Sequence, residues 1–188
     1  MAEVLAAGVV KLGADLVTLD NPFVLELVER FDRDKPAYKS PLYNETQTRQ
    51  EFIDPLFAAL GWDIGNRGGA AAAFREVVLE YSMKIGAATK APDYLFQLGG
   101  TPRFFVEAKK PSVNIKDDTS PAFQLRRYAW SATLPLSVLT DFEEFVVYDC
   151  RVEPDKADKP TVARMFYIPY TEYAAKWDTI AELFSREA

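Results

Sequence analysis

Residues 92–110 read PDYLFQLGGTPRFFVEAKK, two apolar, aromatic-rich runs of strand length joined by Gly99, Gly100 and Pro102. Gly and Pro at a junction of this kind are turn chemistry, so the two runs predict a hairpin. Side chains alternate faces along a strand. Phe104, Val106 and Ala108 therefore share one face, while Arg103, Phe105, Glu107 and Lys109 share the other. On the first run, Asp93 shares its face with Leu95 and Gln97. Pairing about the middle of GGTP sets residue 93 opposite residue 109, which brings Asp93 beside Glu107 and Lys109. Any fold for this chain must then accommodate two acids and a base at adjoining strand ends within an apolar sheet.

The remaining pattern supplies the rest of that fold. Helical pieces are expected at about 3–11 and 23–31, followed by a polar link, DRDKPAYKSP, whose Pro36 and Pro41 argue against helix. Asn44 reads as the N-cap of a helix through NETQTRQEFIDPLFAALGW, ended by Gly61 and kinked at Pro55. At about 100° per residue, Arg49, Phe52, Ile53, Leu56, Phe57 and Leu60 fall on one stripe. Glu45 lies within that stripe and Glu51 opposite it, so Glu45 is the acid that needs a partner. REVVLEYSM (75–83) reads as a strand, and IGAATKA as a turn. Residues 120–132 read as a helix, with Ser120 as N-cap and Pro121 in its first turn. PLSVLTD and EEFVVYD read as strands turning near Asp141, ARMFYIPY as an edge strand, and the last eighteen residues as an amphipathic helix. The expected fold class is α/β, a mixed central sheet flanked by helices.

Composition narrows the chemistry. The chain has 188 residues, 48% of them hydrophobic, and no histidine, which removes Ser-His-Asp and Cys-His catalysis and the usual zinc sites. Its one cysteine, Cys150, excludes an intrachain disulfide and fits a reducing cytoplasm. No run has the length of a membrane span, and the opening residues lack a signal-peptide pattern. The net charge is −6, yet residues 67–127 carry ten Lys/Arg against six Asp/Glu. A basic middle within an acidic envelope can attract phosphate locally.

Two carboxylates at adjacent strand ends repel unless a cation sits between them. With only oxygen ligands on offer, Mg2+ is the natural ion, with Mn2+ as a substitute. Asp93 and Glu107 are the expected ligands. Lys109 would position or deprotonate a water and offset charge on a phosphate. The pattern describes a phosphodiester-cleaving site.

Pro92-Asp93 followed by Glu107-Ala108-Lys109 resembles the PD-(D/E)XK nuclease motif. NETQTRQEFIDPLFAALGW resembles the first motif helix of restriction-enzyme cleavage domains, both fused restriction–modification enzymes (type IIG) and the restriction subunit of type I systems. QLRRYAWS resembles the Gln-x-x-x-Tyr helix of type I and RecB-like nucleases. LGWDIG, VLEYSM and LTDFEEFVVYD favour the fused type. The likeness covers about residues 42–150 and implies a restriction-endonuclease-like fold. It also implies an endonuclease acting on double-stranded DNA, with Asp93 and Glu107 as metal ligands, Lys109 as the catalytic lysine and Glu45 as the helix carboxylate near the metal and a third ligand. Gln124 and Tyr128 would support the site or touch the DNA backbone, and Arg126 and Arg127 are candidates for phosphate contact.

The expected organisation is a helical lead and linker (1–41), a nuclease core (42–170) and a C-terminal helix (171–188) that leads onward or closes the core. Methyltransferase and target-recognition domains are expected in the same longer chain or a partner subunit, since no methylation or Walker A motif occurs here. A non-catalytic domain of this fold, binding DNA or a partner, and a stand-alone repair or junction nuclease are the competing readings.

Overall fold

The computed structural model describes residues 4–6, 9–12, 15–18, 21–85 and 88–188. Near the N-terminus, β1 (Val4–Ala6), β2 (Val9–Leu12) and β3 (Asp15–Thr18) pair antiparallel in that order. The helix expected at about 3–11 is thus replaced by strands where that stretch is described. Val4, Val9, Val10 and Val17 are β-branched and favour the extended chain.

Helix α1 (Pro22–Tyr38) starts on Asn21, whose side chain accepts from the Phe23 and Val24 amides. It continues through Pro36, where the sequence predicted a non-helical link. Asp34 leaves helical geometry at φ −113°, ψ 16°. That kink relieves the clash a proline makes with the preceding turn.

The long helix expected from Asn44 is three pieces. Helix α2 (Glu45–Thr48) has a full capping box, with Asn44 and Gln47 exchanging side chain-to-backbone bonds. A π-helical turn (Arg49–Ile53) follows, and then α3 (Asp54–Ala59), with Pro55 in its first turn. Gly61 continues the exit at φ +93°.

The main sheet has six strands in the order β11-β10-β9-β8-β7-β4. They are β4 (Val77–Leu79), β7 (Tyr94–Leu98), β8 (Thr101–Ala108), β9 (Leu136–Thr140), β10 (Glu144–Asp149) and β11 (Arg164–Pro169). The strand predicted over 75–83 is shorter because Glu80 turns the chain at φ +50°. Beyond it, β5 (Met83–Ile85) and β6 (Ala88–Lys90) pair as a hairpin, where the sequence suggested a plain turn. The β8–β9 pair is parallel and the other pairs in this sheet are antiparallel. Helix α4 (Thr119–Ser131) makes the β8-to-β9 crossover. Its N-cap is Asp118 rather than Ser120, with the Asp118 carboxylate accepting from the Ser120 amide.

Both faces of the sheet are covered. One buried cluster joins Phe104, Val106 and Ala108 to α1, the segmented helix and α5 (Tyr173–Phe184). The other joins Leu95, Phe105, Leu139 and Val146 to Leu125, Tyr128 and Ala129 of α4. The alternation expected along residues 104–108 is therefore the division between the two layers. This is the expected α/β class, a mixed central sheet flanked by helices. Helix α5 packs back on this sheet, with the Phe184 ring 5.0 Å from Phe104 and 5.7 Å from Phe145. Val24, Leu27 and Phe31 of α1 share the same core as residues 42–170. Among the described residues, no helix is long and apolar enough to cross a membrane.

Phe52, fully buried, stands 5.3 Å from Phe31 and 4.7 Å from Phe142, tying α1, the π turn and the β9–β10 turn together. Phe52→Ala is expected to cost about 3–5 kcal/mol in urea unfolding. Leu42→Ala, at a side chain 90% exposed, should change it by less than about 0.5 kcal/mol.

Candidate active site

The β7–β8 ladder sets the site. Tyr94 pairs with Val106, Leu95 with Phe105 and Phe96 with Phe104, after a tight two-residue turn at Gly99–Gly100 and a register shift at Phe96/Gln97. Continued one residue, this register puts Asp93 opposite Glu107, not opposite Lys109 as the loop midpoint predicted. The difference is two residues, so the shared face survives. Pro92 has no N–H for the ladder, and the chain ends its pairing there. Asp93 is then clamped on both sides. Its carbonyl accepts from the Glu80 amide at 2.9 Å, and its Oδ2 accepts from the Ala108 amide at 2.7 Å.

Glu107 is 2% exposed. Its Oε1 accepts from Lys109 Nζ at 2.7 Å and from Gln124 Nε2 at 2.5 Å. Its Oε2 is buried with no partner. An unsatisfied carboxylate oxygen is costly, and its presence asks for a ligand. Burial, then the neighbouring Asp93 charge, push the Glu107 carboxyl from an ordinary 4.5 up to about 7. Burial opposes the charge on Lys109, but Glu107, Glu45 and Asp93 outweigh it and hold the ammonium protonated above its usual range. Lys109 lies just past β8, where its amide donates to the Thr140 carbonyl at 3.0 Å and anchors the strand end on β9.

Glu45 sits in the first turn of α2, with Oε2 3.8 Å from Lys109 Nζ. Burial raises its carboxyl above the ordinary value. Among the described residues, no three acidic, cysteine or histidine side chains come close enough to enclose an ion by themselves. The expected three-carboxylate set is thus not assembled, because the Lys109 ammonium joins Glu45 to Glu107. The Asp93–Glu107 pair remains. Its donors are hard oxygens, one of them orphaned and buried, and its like charges disfavour ionisation of Glu107. A divalent cation that keeps several waters fits that pair.

Of the other predicted residues, Gln124 donates to the Glu107 carboxylate. Tyr128, one turn along α4, is buried in the layer beneath, where burial raises its hydroxyl pKa. Arg126 is a correction. It is 1% exposed, donates to Asp158 Oδ2 at 2.7 Å and to the carbonyls of Val152 and Glu153, and so pins the loop after β10 instead of facing phosphate. An arginine set among Leu125, Tyr128 and Ala129 must have its charge paired internally. Arg127 is half-buried, with no ion pair to a described residue. Cys150 is a buried filler, its thiol pushed up to about 12 by burial.

Sequence reasoning missed the network behind Asp93. Arg49 Nη1 stands 3.6 Å from Asp93 Oδ1, Arg49 Nε donates to the Tyr94 hydroxyl at 3.1 Å, and that hydroxyl donates to Asp54 Oδ1 at 2.6 Å. The signal was an arginine lying on an otherwise apolar stripe.

A carboxyl whose folded pKa is raised contributes stability that is fully present below its unfolded value and is lost as pH rises through the folded one. For Glu107 that window runs from about 4.5 to about 7. Glu107→Gln, measured by urea unfolding with chelator present, should lose less stability than wild type between pH 5 and 8. At pH 8 it should be the more stable of the two by roughly 1–3 kcal/mol. Parallel pH profiles for the two proteins would mean that Glu107 is not buried as described.

Residues 71–156 match the family described as "Type I restriction enzyme R protein N terminus". The chain is also 43% identical over 164 residues, 86% of its length, to the type II restriction enzyme and methyltransferase RM.Eco57I of Escherichia coli. It spans 16% of that relative's length. A solved structure titled as the DrdV–DNA complex superposes with a TM-score of 0.45 at 15% identity, covering 86% of this chain and 97% of that one. The match over residues 71–156 includes Asp93, Glu107, Lys109 and Gln124, and the chain is similar to restriction-enzyme N-terminal domains.

Proposed function

We propose that this protein is the DNA-cleaving domain of a restriction–modification enzyme, a Mg2+-dependent endodeoxyribonuclease acting on double-stranded DNA. The observation that carries this reading is the buried, unpartnered Oε2 of Glu107 beside the Asp93 carboxylate, with the Lys109 ammonium 2.7 Å from the other Glu107 oxygen. The similarity to a fused restriction enzyme and methyltransferase supports the same conclusion.

Asp93 and Glu107 would hold the ion, with Mn2+ as a substitute, and waters and a phosphate oxygen would complete its shell. A bound divalent cation supplies positive charge at the phosphoryl oxygen and acidifies a water. The protein's own groups do the rest. Asp93 is held in place by the Ala108 amide and Glu107 by Gln124, so both carboxylates are fixed before substrate arrives. Lys109, kept protonated by its acidic neighbours, orients the attacking water and donates toward charge developing on the phosphate. That favours a positioning and electrostatic role for Lys109 over proton abstraction. Glu45, on the far side of Lys109, steers the ammonium. Lys110 and Arg127 are the better candidates for backbone contact, Arg126 being committed to Asp158. Methylation and target recognition would reside in other domains, and the compartment is the cytoplasm.

Plasmid nicking in Mg2+ or Mn2+ tests the reading. Asp93→Ala, Glu107→Ala and Lys109→Ala should each lower the rate by about 10²-fold or more, with circular dichroism unchanged. Unimpaired cutting by Lys109→Ala would remove the mechanism. A protein that retains DNA in gel shifts but cuts under no metal condition would point instead to a binding domain of nuclease fold.

A further inference from the structure

Arg49 stands where α2 gives way to the π turn, its carbonyl accepting from the Asp54 amide five residues on. π turns of this kind redirect side chains and recur at functional sites. One edge of the guanidinium is anchored. Nε is bonded to the Tyr94 hydroxyl, and Cζ lies 4.6 Å over the Tyr94 ring. The Tyr94 hydroxyl is in turn fixed on Asp54. The other edge is open. Nη1 approaches Asp93 Oδ1 at 3.6 Å, longer than a hydrogen bond, and Nη2 bonds to no described residue. The side chain is mostly but not fully enclosed, at 15% exposure.

The cation therefore sits against the one Asp93 oxygen that the Ala108 amide leaves free. For a divalent ion shared by Asp93 and Glu107, that unbonded oxygen would be the better donor. Two cations cannot both lie against it without strong repulsion at short range. Arginine cannot relieve the conflict by losing its proton. It can relieve it by turning about its anchor on Tyr94.

We propose that Arg49 is a movable counter-ion: it neutralises Asp93 in the metal-free protein, yields Oδ1 to the divalent ion, and then offers its freed Nη donors to a phosphate of the bound DNA. The proposal rests on the metal-dependent reading above. The guanidinium fork matches two phosphate oxygens, which an ammonium does not. The Tyr94–Asp54 anchor limits its travel to the mouth of the site.

This role has a signature that a merely structural arginine would not show, because metal and DNA affinity move in opposite directions. In Arg49→Met, Mn2+ titrated into DNA-free protein should bind tighter by about threefold or more, the competing charge being gone. A short duplex in Ca2+, used as a non-cleaving ion, should bind weaker by about fivefold or more, with the salt slope reduced by about one. Arg49→Lys keeps the charge but loses the fork. It should bind Mn2+ within about twofold of wild type and bind DNA more weakly. That variant decides the question if Arg49→Met fails to fold, and unchanged DNA binding by Arg49→Lys would then overturn the proposal. Weakening of metal and DNA together in Arg49→Met would show a structural role and overturn it as well. Identical Mn2+ binding by wild type and Arg49→Met would sink the Arg49 assignment alone. A wild-type protein that takes up no Mn2+ would sink the metal-dependent reading and this one with it.

Discussion

Two carboxylates facing each other across a strand pair repel, and the β7–β8 ladder holds Asp93 and Glu107 together all the same. The force that does so is not at the site. Phe96 stacks on Phe104 at 4.7 Å, Phe57 packs on Phe96 at 4.6 Å, and Trp62 closes the edge with Nε1 bonded to the Phe184 carbonyl. Each aromatic pair contributes about 0.5–1.5 kcal/mol beyond its buried area, and several lie within this one layer. Against that, one raised carboxyl pKa is a modest cost. The apolar layer fixes register, and register fixes the acids.

The site is then completed from three directions. Parallel pairing with β9 anchors the end of β8, so Lys109 leaves the strand at a defined place. Helix α4, forced to cross over by that parallel pair, brings Gln124 onto Glu107. Helix α2 brings Glu45 to Lys109, and the π turn brings Arg49 to Asp93. Among the described residues Glu107 Oε2 is one of six buried side-chain polar atoms without a partner, and it is the one that lies beside Asp93 and Lys109.

Much of this was legible in the chain. The two-residue alternation through Phe104, Phe105 and Val106 and the turn residues at 99–102 suffice to place Asp93, Glu107 and Lys109 on one side of one sheet. What failed depends on context. Register differs by two because the turn closes on Gly99–Gly100 instead of the middle of GGTP, and the one-residue bulge beside Phe96/Gln97 recovers only part of the offset. Pro36 is tolerated because Asp34 kinks first, a compensation invisible to propensity. Arg126 read as a candidate for phosphate contact because its partner, Asp158, comes thirty-two residues later, from a loop with no periodicity. Arg49 was visible as an anomaly on an apolar stripe, but only the fold shows that Asp93 and Tyr94 receive it.

The most direct test is crystallographic. Crystals soaked in Mn2+ should give one strong anomalous peak within inner-sphere reach of both Glu107 Oε2 and Asp93 Oδ1, with the Arg49 guanidinium displaced from Asp93. A cleft that stays empty at saturating Mn2+, or a peak that avoids both carboxylates, would contradict the placement of the ion on which the proposed chemistry depends.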